Sequence, residues 1–172
     1  MNLLNDNSQV ITHSLNNNEL EESINKMLNS PCSKNMDEMI ESLISTSLIV
    51  MINDYIHTEE NLEPDGHFTL SKYDNIPLVK FENDKGEKIL PVFTNTEYVN
   101  NLPYLDNYVA LIVPAMQVLE MANVMRCKKM TINHGSKESI DLDNILIDSL
   151  VFNLIFNGDL SIQNTFSSLA SL

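Results

Sequence analysis

The sequence predicts an α+β fold in which a mixed, largely antiparallel sheet carries flanking helices behind an N-terminal helical extension. Two observations lead there and a third sets the scale. Amphipathic stretches with helical spacing alternate with short runs of β-branched residues, and Asn83-Asp84-Lys85-Gly86 has the composition of a tight turn between two such runs. The chain has 172 residues, 43% hydrophobic and 20% charged, enough for one sizeable core.

Residues 1–18 are rich in Asn and Ser with scattered apolar positions. Such a stretch buries too little surface to offset the entropy of ordering, so a loose arm is expected. From Glu19 the pattern changes: Leu20, Ile24, Met27 and Leu28 recur at helical spacing behind Asn18 as the expected cap, and Ser30-Pro31 stops the helix. Asp37 to Thr46 repeats the pattern, with Met36, Met39, Ile40, Leu43 and Ile44 along one face. SLIVMIND, Ser47 to Asp54, is a short apolar run bounded by polar residues and reads as a buried strand. The acidic loop HTEENLEPDGH follows, with turn chemistry at Pro64-Asp65-Gly66.

Ile76 to Phe81 and Glu87 to Phe93 flank the tight turn and should pair as an antiparallel hairpin. At the corner LPVFTNTEYVNNL, Pro91 suits an edge or bulge and Phe93 anchors the strand end. Thr94 or Asn95 caps a short helix from Thr96 to Leu102 that Glu97 supports. Tyr108 to Val113 reads as a strand, and Pro114 suits the first turn of a helix with Ala115, Val118, Leu119, Ala122 and Met125 on its apolar face. Lys129 to Asn133 and Ser139 to Leu142 are short strands around His134-Gly135, and Asp143 caps a helix from Asn144. VFNLIF, from Val151, fits strand or helix. The expected division is an arm with short helices over 1–46, an α/β domain over 47–150, and a partly ordered tail over 151–172.

Charge restricts the partners. Acidic residues number 24 against 10 basic, a formal charge of −14, which repels phosphate backbones and anionic lipid. Neither nucleic acid nor membrane is expected as a partner. Met1 to Ser71 holds 12 acids and 2 lysines, a net of −10. A basic partner would approach that part. With only Cys32 and Cys127, no CxxC motif, no basic leader and no run of about 18 apolar residues, a soluble cytoplasmic setting is expected. Both free thiols and a Cys32–Cys127 bridge fit the spacing.

Several residue clusters invite chemistry and have plainer readings. His57, Glu59, Glu60, Asp65 and His67 could ligate a cation, yet the spacing matches no closed zinc set or calcium loop. They read better as a solvated acidic surface. Cys127 lies beside Arg126, Lys128 and Lys129, which could activate a thiol, but the same bases suit a helix end. Asn133-His134-Gly135-Ser136 could present N–H groups to an anion, and a simple turn accounts for it as well. Thr94 lacks an activating base nearby in sequence, and most of the nine methionines should fill core gaps. No catalytic residue, metal site or cofactor is therefore assigned.

The order of these motifs resembles the N-terminal domain of the enhanced serine sensitivity family, SseB. The resemblance rests on ILPVFTNTEYV at Ile89 to Val99, YVALIVPAMQVLEMA at Tyr108 to Ala122, and MTINHGSKESIDLDNIL at Met130 to Leu146. It covers roughly 47–150 and leaves the first 46 residues unexplained. His134 replaces a proline often found after the asparagine, and the second domain of longer members finds no room here. The resemblance implies an α/β domain without an established catalytic centre, linked by name to serine tolerance.

The expected function is a non-enzymatic acidic module that binds a basic protein, in concrete form an immunity-type protein occupying a basic effector or toxin. Its expected contact residues are Asp54, Glu59, Glu60, Glu63 and Asp65. The alternative, suggested by the family name, is a small-molecule-responsive protein with a pocket near Phe93 to Glu97. The oligomeric state is left open.

Overall fold

The computed structural model describes residues 15, 17–53, 78–102 and 108–156. Along the chain these form α1 (Asn18–Asn29), α2 (Ser33–Ile44), β1 (Ser47–Asn53), β2 (Phe81–Glu82), β3 (Lys88–Val92), α3 (Thr96–Asn100), β4 (Tyr108–Pro114), α4 (Ala115–Val124), β5 (Lys129–Ile132), β6 (Ile140–Asp143) and α5 (Asn144–Phe156). The fold is α+β, as the sequence predicts.

β1 explains the architecture. Its residues Leu48 to Ile52 are all buried, because successive side chains point to opposite faces and both faces are covered. Leu48, Val50 and Ile52 join the main core with Leu90, Val92, Leu111, Val113 and the inner faces of α1, α2, α4 and α5. Ile49 and Met51 enter a smaller cluster with Val79, Phe93 and Val99, against which Leu15 and Tyr98 pack. A strand apolar at every position from Leu48 to Ile52 needs both layers.

β1 pairs antiparallel with β4, from Ser47 opposite Pro114 to Asn53 opposite Tyr108. β3 pairs antiparallel with β2 and parallel with β5, and β5 pairs antiparallel with β6. Phe93 joins the two groups: it exchanges both backbone bonds with Ile49, at 2.8 and 2.9 Å. Since β3 and β4 both run opposite to β1, β3, β4 and β5 share one direction. Their C-terminal ends therefore lie together with the start of β1.

Differences from the sequence reading are local. α2 begins at Ser33 instead of Asp37, since its polar first turn carries no apolar periodicity and Cys32 makes no side-chain cap. The expected strand 76–81 shrinks to β2 plus a bridge from Leu78 to Ile52, with 76 and 77 outside the described residues. Pro114 closes β4 one position before its expected place in α4. VFNLIF is helical, the end of α5. In the hairpin turn, Asn83 Oδ1 accepts from Lys85 N and Glu87 N at 2.9 and 3.0 Å, and Gly86 supplies φ +72°. Asp143 caps α5 as expected, accepting from Leu146 N at 2.8 Å.

The α4 face also buries Glu120, 8% exposed, and burial raises its pKa above the ordinary 4.5. For a carboxyl with a raised folded pKa, the fold gains stability as pH falls through that value and loses it as pH rises. Glu120→Gln should thus raise the melting temperature at pH 7 and lose that advantage below about pH 4. A variant less stable than the parent at pH 7 would contradict this.

Candidate functional site

The C-terminal ends of β3, β4 and β5 meet the beginnings of α1, α3 and α4, and polar side chains cross-link them. At the centre is Asn133, fully buried with φ +54°. Asparagine tolerates this left-handed conformation better than most residues. Its Oδ1 accepts from Thr94 N at 2.9 Å and lies 3.1 Å from Thr94 Oγ1, whose one proton goes to Glu21. Its Nδ2 is buried without a hydrogen-bond partner. The backbone donor at Thr94 fixes the amide orientation, since a flipped side chain would set donor against donor.

Thr94 is fully buried and also donates to Glu21 Oε1 of α1 at 2.6 Å. The same oxygen accepts from Asn95 Nδ2 at 2.6 Å. Asn17, just before α1, donates to the carbonyls of Ser47 and Thr94, each at 2.8 Å, and accepts from the Thr46 hydroxyl. The N-terminal helix is therefore tied to the strand ends by its first turn. Asn17 replaces Asn18 as the residue preceding α1, and it makes no capping bond because its amide is used here.

Of the two candidates for capping α3, Asn95 is the cap: its Oδ1 accepts from Glu97 N and Tyr98 N at 2.9 and 3.3 Å. Thr94 holds helix and turn together instead. The corner is a structural joint whose polar groups, Asn133 Nδ2 excepted, are occupied by one another.

The accessible chemistry is charge. Between α1 and α2 lies an open groove of about 340 Å³ lined by Glu19, Glu22, Ser23, Lys26, Glu38, Glu41 and Ser42. Lys26 bonds Glu38, and Lys34 lies 3.8 Å from it. The hydrogen bond from Lys26, aided by the charges of both lysines against slight desolvation, lowers the Glu38 pKa. Glu19, Glu22 and Glu41 have no ion-pair partner among the described residues. Near the corner, Tyr98 is raised in pKa, first by burial and then by the charges of Glu138, Glu21 and Glu97. Carboxylates thus extend from α2 across α1 to the start of α3.

Bases lie at the other end of the sheet, interleaved with carboxylates, since Glu82 is opposite Lys88 and Asp143 opposite Lys129. Lys88 opens β3 and Lys129 opens β5, and Lys128 N donates to Lys88 O at 2.8 Å. Cys127, preceded by Arg126, is close enough to Lys80 and Lys88 to sense both charges. Of these five bases only Lys129 is paired among the described residues, with Asp141 at 2.5 Å. The acidic end coincides with helix beginnings, where carboxylates are favoured by the macrodipole. Structure and surface charge therefore reinforce one another.

The remaining sequence candidates resolve simply. Cys127 is 3% exposed, and its burial raises the thiol pKa against the pull of the two lysines. That is the opposite of activation. Cys32 and Cys127 are both free, and His134 stacks on Phe81 with ring centroids 4.8 Å apart. Asn133-His134-Gly135 forms a turn closed by Ser136 N to Asn133 O at 3.0 Å. Asp54, Glu59, Glu60, Glu63 and Asp65, with His57 and His67, lie outside the described residues. The groove carboxylates were missed as a group because pairing α1 with α2 creates the groove; their shared signal was the net −10 of the N-terminal part.

A family model described as the SseB protein N-terminal domain matches residues 20–148. No curated protein matches the chain. The match begins at Leu20 and so includes α1 and α2, which the motif resemblance left out. Leu20, Ile24, Met39 and Leu43 are buried in the same core as the sheet, which is the physical reason the helical pair belongs with it.

Thr94→Ala should cost about 1–3 kcal/mol, since it removes the hydroxyl's part-buried bond to the Glu21 carboxylate. Asn95→Ala should cost about 1 kcal/mol as a lost cap. Denaturant titration measures both. A Thr94→Ala cost no larger than that of Thr96→Ala would show that the joint contributes little.

Proposed function

Because the chain belongs to the family of the SseB N-terminal domain, a fold without an assigned reaction here, we propose from its surface that it is a non-enzymatic cytoplasmic module binding a basic protein. The single observation that carries this reading is the separation of charge along the sheet. Glu19, Glu22 and Glu41 line the groove without an ion-pair partner among the described residues, with Glu97 and Glu138 beyond the joint. Lys80, Lys88, Arg126 and Lys128 lie at the opposite end, where Glu82 and Asp143 only partly offset them. Such a dipole orients an approaching cationic surface toward the carboxylates and speeds encounter. The hydrogen-bonded joint holds α1 in place, so the carboxylates meet the partner already arranged, at reduced entropic cost.

A concrete form is an immunity-type protein whose carboxylates occupy the phosphate-binding track of a basic effector such as a toxic nuclease. Asp54, Glu59, Glu60, Glu63 and Asp65 remain proposed contacts on their charge alone.

Affinity capture from the native host at low salt tests the reading. A basic protein should be retained and released as salt rises, and combined Glu22→Lys and Glu41→Lys should weaken its binding by roughly tenfold or more while the protein stays folded. Capture indifferent to salt and to these reversals would overturn it. Should no protein be captured while an amino acid or nucleotide raises the melting temperature, the small-molecule reading would replace it.

A further inference from the structure

β4 pairs with β1 along one edge, and among the described residues its other edge is open. The register identifies the open groups. Ile49 exchanges both backbone bonds with Phe93, and Met51 O accepts from Val79 N at 2.8 Å, so both residues turn their backbone polar groups away from β4. Ile112 lies opposite Ile49 and Ala110 opposite Met51. In an antiparallel ladder, residues opposite such positions point their own N–H and C=O outward. Tyr108, two residues earlier, does the same. Pro114 has no N–H and ends the series.

Among the described residues nothing guards this edge. YVALIVP carries no Asp, Glu, Lys or Arg, and Ile112 is 37% exposed. At the far side of the sheet β6 carries Asp141 and Asp143, the kind of charge that keeps an edge from pairing.

We propose that β4 is a self-association edge, where a second copy of this chain pairs antiparallel about a twofold axis at Leu111. In this register Ala110 of one copy faces Ile112 of the other, and each such pair exchanges both N–H···O bonds. Tyr108 N–H meets the Pro114 carbonyl, so the ladder ends where its donors end. Ile112 then packs beside Ala110 and Tyr108 across the interface on the same face. The interface is isologous and closes at two copies.

The outward groups of β4, self-complementary about Leu111, select a second copy, and charge selects the orientation. β4 runs parallel to β3 and β5, so its Pro114 end lies at the acidic end and its Tyr108 end at the one where Lys88 and Lys129 stand opposite Glu82 and Asp143, of mixed charge. Antiparallel pairing sets the acidic end of each copy beside the mixed end of the other. Parallel pairing would set acid against acid.

Light scattering on the eluting full-length protein over a dilution series should give twice the 19.5 kDa chain mass at the higher concentrations. Ile112→Lys should return the single-chain mass with an unchanged circular dichroism spectrum. Amide hydrogen exchange on the unmodified protein supplies a readout independent of any variant. Ala110 and Ile112 should be protected when concentrated and exposed on dilution, whereas Leu111, bonded toward β1, stays protected throughout. A single-chain mass at every concentration, a doubled mass in folded Ile112→Lys, or protection of Ala110 and Ile112 that ignores dilution would each overturn the proposal.

Discussion

A single side-chain carbonyl, Asn133 Oδ1, satisfies the buried N–H of Thr94 where β3 ends, and the arrangement of the acidic end follows from that bond. A buried donor left without a partner costs about 1–3 kcal/mol, so the turn after β5 must place Asn133 beside Thr94. Once it does, the Thr94 hydroxyl reaches Glu21, which also takes a bond from Asn95. The carboxylate bridges α1, the strand end and the cap of α3. Asn17 adds bonds to the carbonyls of Ser47 and Thr94. Four segments far apart in sequence are thereby fixed at one place.

The joint has an electrostatic consequence. Three helices begin where three parallel strands end, and their N-terminal dipoles favour negative charge. Glu19, Glu21 and Glu97 occupy first turns. Carboxylates therefore accumulate at this end for reasons of fold stability, while the loops at the opposite end are free to carry bases. The resulting dipole is a surface on which partner binding can act with little further change in the chain.

Much of the fold was legible because its signals are local. SLIVMIN reads as a buried strand from its uninterrupted apolar run, the Asn-Asp-Lys-Gly turn from its composition, and the Asp143 cap from its place before Asn144. The start of α2 was not legible, since Ser33, Lys34 and Asn35 are polar and uncapped. The joint was legible only in part. The corner stood out, but a bond from Thr94 to Asn133 spans 39 positions and leaves no periodicity. Charge behaved likewise: the acidity of the N-terminal part was plain, whereas the gathering of Lys80, Lys88 and Arg126 depends on β3 and β5 pairing in parallel.

The central claim is that α1 is held to the sheet through Glu21 and Thr94. The coupling free energy between them, from a double-mutant cycle of Glu21→Ala and Thr94→Ala, tests it most directly. The joint predicts a coupling of about 1 kcal/mol or more. Losses that add to within about 0.3 kcal/mol would contradict it.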